Sequence, residues 1–116
     1  MARYIDCFVM PVPNKNLTAY RKMAKASAKA WKKAGAIDYF EVVGDDVPKG
    51  KITSFPKSVK LKTGEKVILG YATYKSRAHR DSVMKRVHKD PVLMGFWENM
   101  PFDGMRMIWG GFKKFI

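Results

Sequence analysis

From Arg3 to Val12 the chain is β-branched, aromatic or aliphatic at nearly every position (YIDCFVMPV) and is closed by Pro11 and Pro13, which predicts a strand. Alternation gives that strand two faces. Ile5, Cys7 and Val9 form a compact aliphatic face suited to lie under helices, while Tyr4, Asp6, Phe8 and Met10 form a bulkier face with one carboxylate. From Asn14 the apolar spacing changes to steps of three and four. Leu17, Tyr20, Ala24, Ala28 and Trp31 predict a helix capped by Asn14 and stopped after Ala34 by Gly35. Ala36 to Val43 predicts a second strand, followed by the turn-rich GDDVPKGK. Phe55 to Leu61 and Lys66 to Tyr74 predict a hairpin around Thr63-Gly64. Ser76 starts a second long helix that runs to about Lys89, and Asp90-Pro91 ends it and opens a short third one. Asp103-Gly104 then turns the chain into a last strand within MPFDGMRMIWGGF, where Gly110-Gly111 permits close backbone approach.

The resulting order, β-α-β, a hairpin element, then β-α-β, is an α+β pattern of the ferredoxin-like, split βαβ kind. It predicts an antiparallel sheet in the order 4-1-3-2 with helices on one face, and a single domain over residues 1–116. Helices on one face leave the other open. On this reading the open face carries Tyr4 and Phe8, and a second copy of the chain buries it, so a homodimer is expected.

Composition narrows the function classes. No uncharged run exceeds eight residues, so neither a secretion signal nor a membrane span is expected. With one cysteine, Cys7, the chain reads as cytoplasmic. No nucleophile elbow, phosphate-binding loop or dinucleotide fingerprint is present, and no catalytic motif points to a reaction. His79 and His88 are nine residues apart on one helix and point in opposite directions, so no metal site and no cofactor are expected.

Charge changes the picture most. The chain carries 23 basic and 10 acidic residues, a net +13. Lys22, Lys25 and Lys29, on the outer side of the first helix, are the candidate contacts for weak, sequence-independent binding of nucleic acid such as RNA, or another polyanion.

The segments YIDCFVMPVP, GDDVPKGK and DPVLMGFWENMPFDGMRMIWGGF resemble the YbaA-like bacterial family, domain of unknown function 1428, over Tyr4 to Phe112. The resemblance implies a dimeric α/β barrel, in which two ferredoxin-like sheets face one another, and it implies no activity. The strong positive charge departs from the near-neutral or acidic character that the resemblance suggests.

Three charged residues on predicted strands remain to be explained. With the last strand beside the first, Arg106 is expected near Asp6, and Glu41 on the second strand, because a charge removed from water needs a partner. Asp6, Glu41 and Arg106 form either a structural ion pair that fixes register or, with Tyr4, Phe8 and Trp109, the lining of a small-molecule site in or beside the barrel.

Overall fold

The computed structural model describes residues 2–116. Strand β1 (Tyr4–Pro13) leads through a 3-10 turn at Asn14–Asn16 into α1 (Leu17–Lys33). Then come β2 (Asp38–Val43), α2 (Phe55–Ser58), β3 (Glu65–Tyr74), α3 (Arg77–Val87) and α4 (Pro91–Glu98). A second 3-10 turn at Gly104–Arg106 precedes β4 (Ile108–Lys113). The strands form one open antiparallel sheet in the order β2-β3-β1-β4, as the element sequence predicts. The chain is therefore α+β, and among the described residues no helix is long and apolar enough to cross a membrane.

Local chemistry sets most boundaries. The Ser76 hydroxyl accepts from the His79 amide at 3.1 Å, and the Asp90 carboxylate accepts from Val92 and Leu93 at 2.9 and 3.2 Å, so both predicted starts are capped as expected. Asn14 does not cap α1, because a 3-10 turn intervenes. Asn16, the residue before the helix, instead donates its side-chain amide to the Pro101 carbonyl at 3.0 Å. Gly35, with φ +113°, ends the helix as predicted. The buried stripe of α1 is Tyr20, Met23, Ser27 and Ala30, rotated from the predicted one. Leu17, Ala24, Ala28 and Trp31 flank it, half-buried.

The predicted hairpin strand at Phe55 to Leu61 is not formed. Ser54 accepts from the Lys57 amide at 3.1 Å and Pro56 sits in the first turn, so the backbone closes into α2. Lys60 then turns the chain toward β3 with φ +49°.

The faces of β1 are opposite to those expected. Tyr4, Met10 and Val12 pack beneath the helices against Ala30, Val83, Tyr20 and Met23, with Phe8 at the edge of both groups. The reason is span: tyrosine, phenylalanine and methionine reach across the gap between sheet and helices, which the short aliphatic residues would leave unfilled. Gly70 leaves room for this arrangement, since a Cβ there would lie 2.2 Å from the Phe8 ring. Ile5, Cys7 and Val9 therefore lie on the far face. Register sets them beside Thr73, Tyr71 and Leu69 of β3, and beside Phe112, Gly110 and Ile108 of β4. On the other side of β3, Phe40 and Val42 extend the same rows. One corner of this face is covered by the α2 segment, where buried Val59 packs on Val9 and Val67.

Candidate functional site

Between sheet and helices runs a seam of polar groups inside an aromatic core. Its first part centres on Asp6. The Tyr74 hydroxyl, on β3, donates to Asp6 Oδ2 at 3.0 Å and accepts from the Trp31 indole at 3.0 Å. Arg80, on α3, brings its Nε to 3.8 Å from Asp6 Oδ1, and donates through Nη2 to the Tyr4 hydroxyl at 2.9 Å. The facing atoms, Asp6 Oδ1 and Arg80 Nε, are both buried without a hydrogen-bond partner. Burial raises the Asp6 carboxyl above its ordinary range, against the opposing effects of the Tyr74 bond and the Arg80 charge. Gly111 on β4 is required here, because a Cβ would lie 2.2 Å from the Tyr4 hydroxyl and 2.8 Å from Arg80 Nη2. That glycine admits side chains, not the backbone approach predicted for it.

Glu41 forms the second part. It projects from β2 over Gly70 and accepts hydrogen bonds from Tyr20 and, at 2.6 Å, from Tyr39. Burial raises the carboxyl while the two phenol bonds lower it, and the carboxylate and burial together drive both phenols upward. Tyr39 also contacts Phe8 and Trp31 at ring distances of 6.2 and 5.3 Å, which joins the two parts. Two carboxyls held toward the protonated form within aromatic walls can hold or release a proton closer to neutrality than an exposed acid.

Arg106 is not in this seam. It lies in the 3-10 turn before β4, where strand alternation does not apply, and grips Glu65 with both Nη1 and Nη2 at 2.7 and 2.6 Å. Its Nε donates to Asp103 at 2.9 Å and its Nη1 to the Lys60 carbonyl at 3.0 Å. The guanidinium holds Glu65 below the ordinary carboxylate range. The cation beside Asp6 is Arg80 instead. Its spacing to Val83 and Val87 puts it on the buried stripe of α3, a periodicity that the sequence reading did not use.

The structure thus brings Tyr4, Asp6 and Phe8 together on the helix side, with Glu41 two strands away and Arg106 elsewhere. Trp109 is opposite Phe8 in the β1–β4 register and is 67% exposed. Lys22, Lys25 and Lys29 are exposed on α1. His79 accepts from the Lys75 amide and packs edge-on to Tyr74, whereas His88 lies against Trp97. Among the described residues no three His, Cys, Asp or Glu side chains converge as metal ligands.

Residues 3–104 match the family described as "Protein of unknown function (DUF1428)". Over 114 residues, 98% of this chain and 97% of the relative, the chain is 41% identical to "Uncharacterized protein YbaA" of Escherichia coli (strain K12). The same figures hold for YbaA of Shigella flexneri. Among solved structures there is a slight likeness to "a putative amidohydrolase/peptidase from Burkholderia cenocepacia", with 10% identity and a TM-score of 0.36. It covers 97% of this chain but only 27% of that one, and it carries no argument about function. The match to family and relatives over nearly the whole length has one conclusion: the chain belongs to the DUF1428 family of proteins of unknown function.

Proposed function

We propose that the protein is a homodimer of ferredoxin-like subunits, a dimeric α/β barrel, that binds a small molecule beside the barrel on the helix side of each sheet. The observation that carries this reading is the sheet face turned away from α1, α3 and α4. There Phe40 is 47% exposed, Val42 52%, Ile108 44% and Phe112 58%, in rows continuous with Ile5, Cys7, Leu69 and Tyr71. Adjacent large apolar side chains left in water mark an interaction surface, and a face with this repeat is complementary to its own copy across a two-fold axis. A stable interface of this type covers about 1,600 Å² in total. Once the sheet faces are so occupied, a ligand has the helix side, where exposed Trp109 offers a wall and Arg80, Asp6 and Tyr4 offer polar anchors. A single free cysteine fits a reducing cytoplasm.

Light scattering tests the dimer. The expected mass is twice the 13.3 kDa of one chain, and Phe40→Glu should return it to that of one chain with unchanged helix content. A wild-type protein of single-chain mass at tens of micromolar would remove the barrel. For the ligand, benzoate at millimolar concentration should shift the Trp109 indole N–H and Gly111 amide resonances, and Arg80→Met should abolish those shifts. Unmoved resonances in the wild-type protein defeat the site.

A second reading, weak polyanion binding, is favoured by the exposed Lys22, Lys25 and Lys29, none of which takes part in an ion pair among the described residues. Such binding is insensitive to sequence and falls steeply with salt. Heparin retention that persists at high salt would contradict it.

A further inference from the structure

Residues before α2, in α2 and between α2 and β3 line an open cavity of about 540 Å³, four of them lysines, Lys49, Lys57, Lys60 and Lys62. The one acid in its lining is Glu65, and Arg106 already occupies both oxygens of that carboxylate. Four exposed lysines thus line the cavity, with no free acid in its wall to answer them. Lys57 directs its ammonium to the carbonyls of Gly50, at 3.1 Å, and Lys51. None of the four takes part in an ion pair among the described residues. Like charges gathered in a concave site raise its potential and attract a multivalent anion.

Backbone conformation points to the same place. Lys60 is the one non-glycine among the described residues with positive φ, at +49°. A lysine in this left-handed region is strained and persists only where its surroundings hold it. Here its amide donates to the Lys57 carbonyl at 3.2 Å, and its own carbonyl receives Arg106 Nη1 at 3.0 Å. Arg106 is in turn fixed by Asp103 and Glu65, so the arginine of the last turn braces the loop that presents the lysines.

We propose that this cavity binds a small molecule bearing two or more phosphate groups, with Arg106 as a positioning residue. The volume falls within the range of roughly 300–1,000 Å³ typical of small-molecule sites, and lysine is a point-charge ligand for phosphate oxygens. A pocket of that size favours a compact oligophosphate over a nucleic-acid strand. The site goes beyond the function proposed above and uses none of its residues.

Inorganic tripolyphosphate at physiological salt is the probe, followed by amide chemical shifts. Saturable shifts are expected at Lys60, Thr63 and Gly64. Lys60→Gly relieves the left-handed backbone, so the fold is kept while one charge is lost, and affinity should fall about tenfold. Arg106→Lys retains charge but loses the forked grip, and should weaken binding several-fold while speeding amide exchange at Leu61. The double Lys85, Lys89→Gln variant, at exposed positions on and just after α3 that are given no part in binding, should bind as the wild type does. Shifts that spread over all basic surfaces without saturating overturn the site, as does an equal loss in this double variant. Tighter binding of a single-stranded RNA than of tripolyphosphate at these same residues would overturn the small-molecule assignment.

Discussion

Tyr74→Phe tests the polar seam by deleting one oxygen. The side chain is 0% exposed, and its hydroxyl joins the Trp31 indole to the Asp6 carboxylate by two hydrogen bonds of 3.0 Å. Loss of the neutral bond leaves an indole N–H without its partner, about 1 kcal/mol. Loss of the bond to a charged acceptor is about 1.5–3 kcal/mol. Asp6 is 14% exposed, and water that reaches it recovers part of this, so the expected loss is about 2–3 kcal/mol. For a domain of this size that lowers Tm by about 8–12 °C. Urea unfolding at unchanged m value measures it. The pH dependence has a definite sign. Asp6 is already raised in the folded state, and removal of the Tyr74 donor raises it further. The extra loss therefore appears as pH rises through the wild-type folded value and is smaller at pH 4 than at pH 7. In an Asp6→Asn background the loss should shrink by about 1 kcal/mol. A loss below about 1 kcal/mol, or one identical in both backgrounds, would refute the claim that this bond holds the carboxylate.

Two further outcomes follow from named positions. Gly111→Ala should cost about 1–3 kcal/mol in denaturant, because its Cβ meets Tyr4 and Arg80, whereas Gly64→Ala, with nothing within 4 Å but φ +81°, should cost only about 1 kcal/mol. Glu41→Gln keeps groups able to bond both phenols and removes a carboxyl that burial has raised above 4.5. The wild-type contribution is full below that value and is lost as pH rises through the folded one. The variant's relative stability should therefore increase from pH 4 to pH 8, and a flat or falling difference would show that Glu41 is not desolvated.

The order of the four sheet strands and of α1, α3 and α4 was legible because caps and periodicity are local. Ser76 and Asp90 act within three residues of themselves, and the strand order follows from connection rules. Which face of β1 turns inward was not legible from aliphatic content. Here the core is built from Tyr4, Phe8 and Met10, whose reach matches the gap to α1, and Ile5, Cys7 and Val9 go to the far side. Arg106 was misplaced because it belongs to the 3-10 turn that ends before Met107 and β4, where strand alternation does not hold, and the β1–β4 register in any case sets Asp6 opposite Gly111. Its true partner, Glu65, lies at the start of β3, and nothing in local spacing links the two. The charge of the Lys49 to Lys62 region was visible, but its concavity depends on α2, which the Ser54 cap creates in place of a strand.

The position of β1 has a bearing on biosynthesis. This strand precedes both of its partners in the chain yet lies in the interior of the sheet, and Tyr4 must wait for Tyr74 on one side and Lys113 on the other. During translation its apolar residues stay unpaired until β3 has left the ribosome, and β4 follows later still. Long-range pairing of this kind makes folding slow relative to helical domains of equal length. Between the emergence of β1 and that of its partners, both edges of this apolar strand are open, which is when chaperone capture and aggregation compete for it.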